Sequence, residues 1–494
     1  MKKNILKNII LILVMFLLIF SIIITKPLID LDEIWNYNFA RNVVNGLIPY
    51  KDFNMITMPL LPLIIGFILK ITINQLIIMR IIAAISCTLI LFFIYKIFRL
   101  LKINNRLIIL FLFAIGYIYH DILCIDYNWM SLFFVLFIIY YEIKLYITNK
   151  EPLYSNIKND IFLGVLAGIT FLFKQTSGAI ICFVLLVNKL IDVKCKENFK
   201  LYLKIFVFRL IGILIPVSFA LMYLLFNNAF NDFINYTFKG ASSFTNFISY
   251  NRLFKFNITG LLAITVPVLL VYELYRIVIK GKDKQLYYIF IYGLAIFIIA
   301  FPISDKIHFI IGATPFIIIL FFELARFIEK IVIKNREKFN KIFYRVIFII
   351  NIILAIVVTI FGIRNYSNYV KSNHSELNNY KYIPINKDSE EAIKLVDNYI
   401  ITNNKDIKIL DSSAALYMIP INKYNKDYDM FNKGNFGENG ENRLIEDIDK
   451  SKNRQYLLLK DKYRLNWQTP TNIIKYVKEN KNRIGEISIF DIYE

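Results

Sequence analysis

The stretch "DLDEIWNYNFARN", residues 30–42, decides how the chain is read. Only "KPLI" (26–29) separates it from an apolar run, "IILILVMFLLIFSIIIT" (9–25). Three acids, an Arg and a Trp therefore crowd the exit of a membrane span. Charge brought close to lipid is costly, so it needs a reason. Part of the reason is local. Asp30 followed by Glu33 has the spacing of a capping box for a helix running to about Val44. Trp35, Phe39 and Val43 then form an apolar stripe at helical spacing, and Asn45-Gly46 ends the helix. Capping accounts for Asp30 and Glu33 and leaves Asp32 without a structural task.

The rest of the chain is membrane-like. It has 494 residues, 57% of them hydrophobic, and a mean hydropathy of +0.53. A soluble protein of this length is far more polar. Apolar runs of near-spanning length recur to about residue 362, which predicts a polytopic helical membrane domain. The first run follows a basic "MKKNILKN" but lacks a small-residue cleavage site, so it reads as a retained span rather than a signal peptide. The net charge of +21 does not indicate a nucleic-acid partner, because the cations sit in the loops where topology needs them. Cys87, Cys124, Cys182 and Cys195 have no metal or disulfide spacing.

Short loops rich in Lys and Arg mark the cytoplasmic side. With Lys2, Lys3 and Lys7 inside, the first span leaves residues 26–75 outside. The span from about Leu76 to Tyr95 returns to Lys96, Arg99, Lys102 and Arg106. The next rises to His120 and Asp121, and another descends from Trp129 to Lys144 and Lys150. A pair, 161–173 and 178–189, ends at Lys194, Lys196 and Lys200. A rise over 205–226 leads to an external loop of about 227–256. The chain descends to Arg276, Lys280, Lys282 and Lys284, rises to Pro302 and turns at "SDKIH". It then descends to Arg326, Lys330, Lys334, Arg336 and Lys338, and a last span covers about 344–362. The prediction is about eleven spans, N-terminus in and C-terminus out. "TMPLLPLIIGFILKIT" (57–72) is short, contains Pro59 and Pro62, and would invert the topology if it crossed; it reads as an interfacial helix. Residues 363–494 alternate short apolar runs ("IKIL" at 407, "YLLL" at 456, "ISIF" at 487) with helical patterns at 389–401, 441–450 and 471–479. That predicts a small extracytoplasmic α/β domain after a transmembrane domain of 1–362.

On this map Asp32, Glu33, Arg41, His120, Asp121, Asp126, Lys174, Gln175, Asp305 and His308 collect at the outer face, most at span ends, and they include two of the three histidines. Polar residues gathered at one membrane face suggest a site. Plainer readings stand beside that one. Lys174 is a snorkelling lysine or a phosphate ligand. His308 is an interfacial aromatic or a ligand. Asp126, before "YNWM", caps a helix or serves the site. "DYD" at 427–429 has the Asp-x-Asp spacing of metal-dependent enzymes acting on nucleotide sugars, but it lies in a stretch full of Asp and Asn on the outer side and is set aside.

"LDEIWNYNFARNVVNGLIPYKDFNMITMPLLPLIIGFILKI" resembles the first external loop of the GT-C glycosyltransferases, especially the protein O-mannosyltransferase and aminoarabinose transferase branch (glycosyltransferase family 39-like). The matching features are Asp32-Glu33 past span one, Arg41 nine residues after the Asp, a G-x-x-P-Y-x-D segment from Gly46 to Asp52, and Pro59 before a juxtamembrane helix. "FLFKQTSGA" (171–179), "CIDYNWM" (124–130) and "FPISDKIHFIIGATP" (301–315) resemble later family elements, so the resemblance covers about residues 1–330. Met58 departs from it, standing where some relatives carry a basic residue. The resemblance implies transfer of a sugar from a polyprenyl phosphate to an envelope glycan, lipid or protein acceptor at the outer face of the plasma membrane, with membrane lipid the other partner. It implies Asp32 as general base, Glu33 as a second catalytic residue that orients the base or binds a cation, and Arg41, Lys174 and His308 on the donor phosphate. Asp126, Gln175, Asp305, Tyr50 and Asp52 would orient substrate. Some relatives use a divalent cation and others show none; two carboxylates are enough to accept one, and no His/Cys cluster demands one.

Three other classes compete. A transporter would place charges at the bilayer midplane, where the sequence shows few. A glycan polymerase or ligase usually depends on a large late external loop, whereas the early acidic loop is conspicuous here. A non-catalytic scaffold displaying the C-terminal domain leaves the clustered outer-face charges unexplained.

Overall fold

The structure, a computed structural model, describes residues 2–28, 31–151, 153–240, 248–279, 283–334, 337–460 and 469–494. Asp30, Lys280, Lys282 and Arg336, used above for capping and topology, lie outside them. The protein is an all-α polytopic membrane protein with a small sheet near its C-terminus. Its contacts divide it into two units. The first comprises Met1–Ile23, Ile82–Phe219 and Phe247–Ser367; the second comprises Ile24–Ile81, Ala220–Asn246 and Asn368–Glu494. The sequence draws a single boundary at 362/363. The contacts instead group the first external loop and part of the 227–256 loop with the C-terminal segment.

The helices through the membrane portion are α1 (Lys2–Ile24), α2 (Leu31–Val44), α3 (Leu60–Ile71), α4 (Leu76–Leu100), α5 (Asn105–Tyr119), α6 (Tyr127–Asn149), α7 (Ile157–Phe173), α8 (Gln175–Val187), α9 (Lys196–Phe226), α10 (Phe230–Ile234), α11 (Ile258–Glu273), α12 (Lys284–Phe297), α13 (Lys306–Lys334) and α14 (Glu337–Lys371). Among the described residues, eight helical stretches are long and apolar enough to cross a membrane. Each of the eleven predicted spans falls on a helix. However, α5, α7 and α12 have only 15, 17 and 14 residues. At about 1.5 Å per residue they reach roughly 21–26 Å, short of a hydrocarbon layer about 30 Å thick. α7 also carries Asp160 in its first turn.

Within the first unit, α7 and α8 are joined at a single residue. Lys174 takes an extended conformation, φ −146° and ψ 115°, and its N–H donates to the carbonyl of Thr170. Gly178 makes that turn possible, since a Cβ there would lie 2.2 Å from the Cα of Phe171. Deeper in the unit, α6, α7 and α9 meet around a buried charge group. Arg209 Nη2 lies 2.9 Å from Glu142 Oε1, Lys189 Nζ 3.1 Å from Glu142 Oε2, and Arg209 Nε 3.4 Å from Asp160 Oδ1. Sequence reading ends a span at Lys189 and finds few charges at the bilayer midplane. Two acids and two bases here neutralise one another, which is what makes their burial tolerable. Asp160 lies in the first turn of α7 and Lys189 just beyond the end of α8, while Arg209 lies midway along α9.

The second unit holds the sheet. Strands β1 (Asp406–Ile409), β2 (Arg454–Leu459), β3 (Arg483–Ile487) and β4 (Phe490–Tyr493) lie in the order β1-β2-β4-β3. β1 pairs parallel with β2, and β4 pairs antiparallel with both β2 and β3. α15 (Lys387–Thr402), α16 (Ala414–Met418), α17 (Gly440–Lys450) and α18 (Thr471–Asn480) accompany them. Tyr428, Phe431, Leu444, Tyr456, Ile473 and Val477 belong to the core. Strands and helices lie where the apolar runs and helical patterns place them. The third run, "ISIF", is split by a turn between β3 and β4.

α2 and α3 belong to this unit and pack on each other. α3, 12 residues long, is too short to span, at about 18 Å. The apolar stripe predicted for α2 understates its burial: every residue from Glu33 to Asn42 is buried. The C-terminal segment covers the helix too, with Trp35 Nε1 donating to the carbonyl of Ser412 at 2.7 Å. Gly46, at φ +83°, ends the helix as expected; its N–H donates to the carbonyl of Val43, and the N–H of Leu47 to that of Asn42.

Candidate functional site

The first loop separates its adjacent acids. Asp32 is exposed and Glu33 is buried. Glu33 meets Arg80 of α4 side-on: Nε donates to Oε1 at 3.0 Å and Nη2 to Oε2 at 2.8 Å. The guanidinium, itself fully buried, also donates to the carbonyls of Lys26 and Pro27 at 2.5 and 3.4 Å. This two-pronged pair is the strong geometry for a carboxylate and an arginine. It engages both Glu33 oxygens, so the Asp32-Glu33 pair does not fit a divalent cation. Among the described residues, no three His, Cys, Asp or Glu side chains gather as a metal site.

Three loop residues expected above to contact substrate make structural contacts. Arg41 is fully buried. It donates to the carbonyls of Ile419 and Lys423 at 3.2 and 2.7 Å and to the side chains of Asn38 and Asn42 at 3.0 Å each. Through the Ile419 and Lys423 carbonyls the guanidinium ties α2 to the C-terminal segment, and its Nε, also buried, has no hydrogen-bond partner among the described residues. Tyr50 is fully buried, with its hydroxyl donating to the carbonyl of Thr57 at 2.7 Å. Asp52 accepts from the N–H of Ile48 at 2.7 Å, closing the same loop. The "DYD" acids are also engaged. Asp427 receives both terminal nitrogens of Arg443, at 2.8 and 2.7 Å. Asp429 accepts from Asn38 at 3.3 Å, and burial pushes its carboxyl up to about 6 against the pull of Arg41.

In the first unit, four candidates share one electrostatic neighbourhood. Lys174, in the turn between α7 and α8, is half-buried. Its ammonium donates to Asn128 Oδ1 and lies 5.2 Å from the centre of the Tyr127 ring. Burial pulls it down to about 8, against the attraction of Asp126 and Asp305. Asp126 caps α6, as the plainer reading has it: Oδ1 accepts from the N–H of Trp129 at 2.7 Å and Oδ2 from Asn128 at 3.2 Å. Asp305 starts α13 by accepting from the N–H of His308 at 2.8 Å, and the His308 ring Nδ1 lies 2.9 Å from the same oxygen. Burial would raise Asp305, but the hydrogen bond and charge of His308 outweigh it and hold the carboxyl below its usual value. Gln175 opens α8 and is half-buried. His120 and Asp121 pair with each other, and Lys306 also reaches Asp121.

Sequence reading passes over Asn128, Tyr127, Lys306 and Arg80. A lone Arg inside the apolar run 76–95 is itself a signal, since such a charge needs a partner. Nothing local marks Asn128, which acquires meaning only once α6 and the α7–α8 turn meet.

No family model matches the sequence, and no curated protein matches it. Solved structures do. The chain is similar to the oligosaccharyltransferase of Archaeoglobus fulgidus at 12% identity. The apo form superposes with a TM-score of 0.50 over 92% of this chain and 69% of that one. The form in complex with zinc and sulfate gives 0.47 over 98% and 72%. At that identity the likeness speaks for architecture alone: the chain has the GT-C fold seen in that oligosaccharyltransferase, a polytopic helical membrane domain with a small C-terminal sheet.

Proposed function

We propose that the protein is an integral membrane glycosyltransferase, related to the O-mannosyltransferase and aminoarabinose transferase branch, that moves a sugar from a polyprenyl-phosphate donor to an acceptor on the outer face of the plasma membrane. The observation that carries this reading is the contrast on α2. Glu33 and Arg41 are buried in structural contacts, while Asp32, next in sequence to Glu33, is the exposed charge of the helix. The GT-C fold supports it. In this reading the N-terminus is cytoplasmic and the C-terminal segment is outside.

Asp32 acts as general base. It takes the proton from an acceptor hydroxyl or amine as that atom bonds to the anomeric carbon in line. The bond from the anomeric carbon to phosphate oxygen breaks, and its electron pair leaves with the polyprenyl phosphate. Lys174 and His308 hold the phosphate and balance its growing charge, with Asp305 orienting the His308 ring. Asp126 and Gln175 orient substrate. Arg41 is assigned to structure and withdrawn from the phosphate. Asp32→Asn tests this in purified protein with radiolabelled polyprenyl-phosphate sugars and membrane-extract acceptors. Donor binding is expected to survive, and transfer to fall about 10²–10⁴-fold, the usual worth of a general base. Full transfer by the variant would remove Asp32 from the chemistry.

A further inference from the structure

A groove of about 590 Å³ in the second unit is lined by Phe230, Asn231, Ile234, Asn235, Lys239, Glu438 and Asn439. Its size is that of a small-molecule cleft, roughly 300–1,000 Å³. No role described above uses it. Two segments far apart in sequence form its walls, and they are fixed to each other. The N–H of Glu438 donates to Asn235 Oδ1 at 2.9 Å, and Lys239 pairs with Glu438 at 2.7 Å. Gly240 and Gly437 touch; a Cβ on Gly240 would lie 2.8 Å from the Cα of Gly437, which itself sits at φ +75°.

We infer that this groove binds a neutral oligosaccharide, the acceptor or the growing glycan of the proposed transfer. Asn is common throughout the chain, so amides alone carry little weight. Their setting carries more. Asn231 and Asn439 are exposed, and the Asn439 side chain makes no cap bond to its own helix. An amide offers donor and acceptor together, which is what neighbouring sugar hydroxyls require. Phe230, half-buried beside them, supplies a flat apolar face for a pyranose ring. The two charges lining the groove cancel in one ion pair, so it offers no net attraction to an anion. A peptide would find no unpaired strand edge among these lining residues, which belong to helices and turns.

The inference rests on the transferase reading for the ligand's role, yet its test needs no turnover. The full chain in lipid nanodiscs is titrated calorimetrically with maltohexaose, mannohexaose and N-acetylchitohexaose, with hexagalacturonate and a neutral hexapeptide as comparators. Saturable binding of a neutral oligosaccharide is expected. Phe230→Ala and Asn231→Ala should weaken it about ten-fold each, the scale of one lost ring or amide contact, while Phe230→Trp keeps it. Unchanged thermal unfolding of the variants confirms that the fold is intact. Failure of every neutral oligosaccharide to bind, equal binding by the alanine variants, or binding of the anionic or peptide comparator alone would overturn the assignment. A wild type that binds oligosaccharide yet transfers no sugar would sink the transferase reading and leave the groove standing as a glycan site.

Discussion

Lys174 gives the proposed phosphate contact a pH limit. Its ammonium is drawn down to about 8 by burial, with Asp126 and Asp305 opposing. Below that value it is charged and attracts phosphate; above it, it is neutral and does not. Donor binding is therefore expected to be full at pH 7 and to weaken through pH 8 to 9, read as the dissociation constant of a polyprenyl-phosphate sugar. Lys174→Gln should bind weakly at every pH and lose that limb. A wild-type limb that survives in Lys174→Gln would assign the titration elsewhere. At this scale the sequence showed which residue types were unusual and not what they touch. Asp32, Glu33 and Arg41 look alike in the chain as charges on one short helix. Only the fold shows that Arg80 claims Glu33 and that three carbonyls of the C-terminal segment, with Asn38 and Asn42 of α2, claim Arg41.

Among the elements, α2 is the one most dependent on distant parts of the chain. Its buried carboxylate is only slightly accessible beside a fully buried Arg80, so losing one partner destabilises far more than replacing both. Glu33→Gln or Arg80→Ala is expected to cost about 3–5 kcal/mol, seen as a lowered unfolding midpoint in detergent. The paired change Glu33→Leu with Arg80→Met should cost clearly less than either single variant. If the double variant is the worse one, the pair stabilises through specific geometry rather than mutual neutralisation. The legible elements were those whose periodicity is set by lipid or by their own sheet: the long spans, and the three short apolar runs that became strands. α2 was legible in its ends, through Gly46, and not in its sides. Its Asn, Tyr and Arg face protein rather than water, and no local pattern reports that.

For the whole molecule, two buried acids of the second unit set a pH dependence of stability. Burial raises Asp397 to about 7, and it raises Asp429 to about 6 despite Arg41, Asn38 and the N–H of Asn425. Both lie above the usual carboxylate value near 3.9, so the folded state binds protons more tightly than the unfolded chain. Their contribution is fully present below about 4 and is lost as pH rises through 6 and 7. Asp397→Asn is expected to raise the unfolding midpoint at pH 8 and to flatten the profile between pH 5 and 8. An unchanged slope would place the dependence in other groups. The division of the chain was the least legible feature. The sequence shows a clear composition change near residue 363, but the second unit also includes residues 24–81 and 220–246, whose apolar side chains look no different from those that face lipid.

The buried quartet of Glu142, Asp160, Lys189 and Arg209 also bears on how the chain is made. Synthesis runs from the N-terminus, so α6 emerges with its acid long before α9 brings Arg209. Through that interval Glu142 has no cation from α9 beside it, and a buried charge without its partner is costly. Its cations follow in the order Lys189, then Arg209, so the charge group of α6 is complete only once α9 has been made.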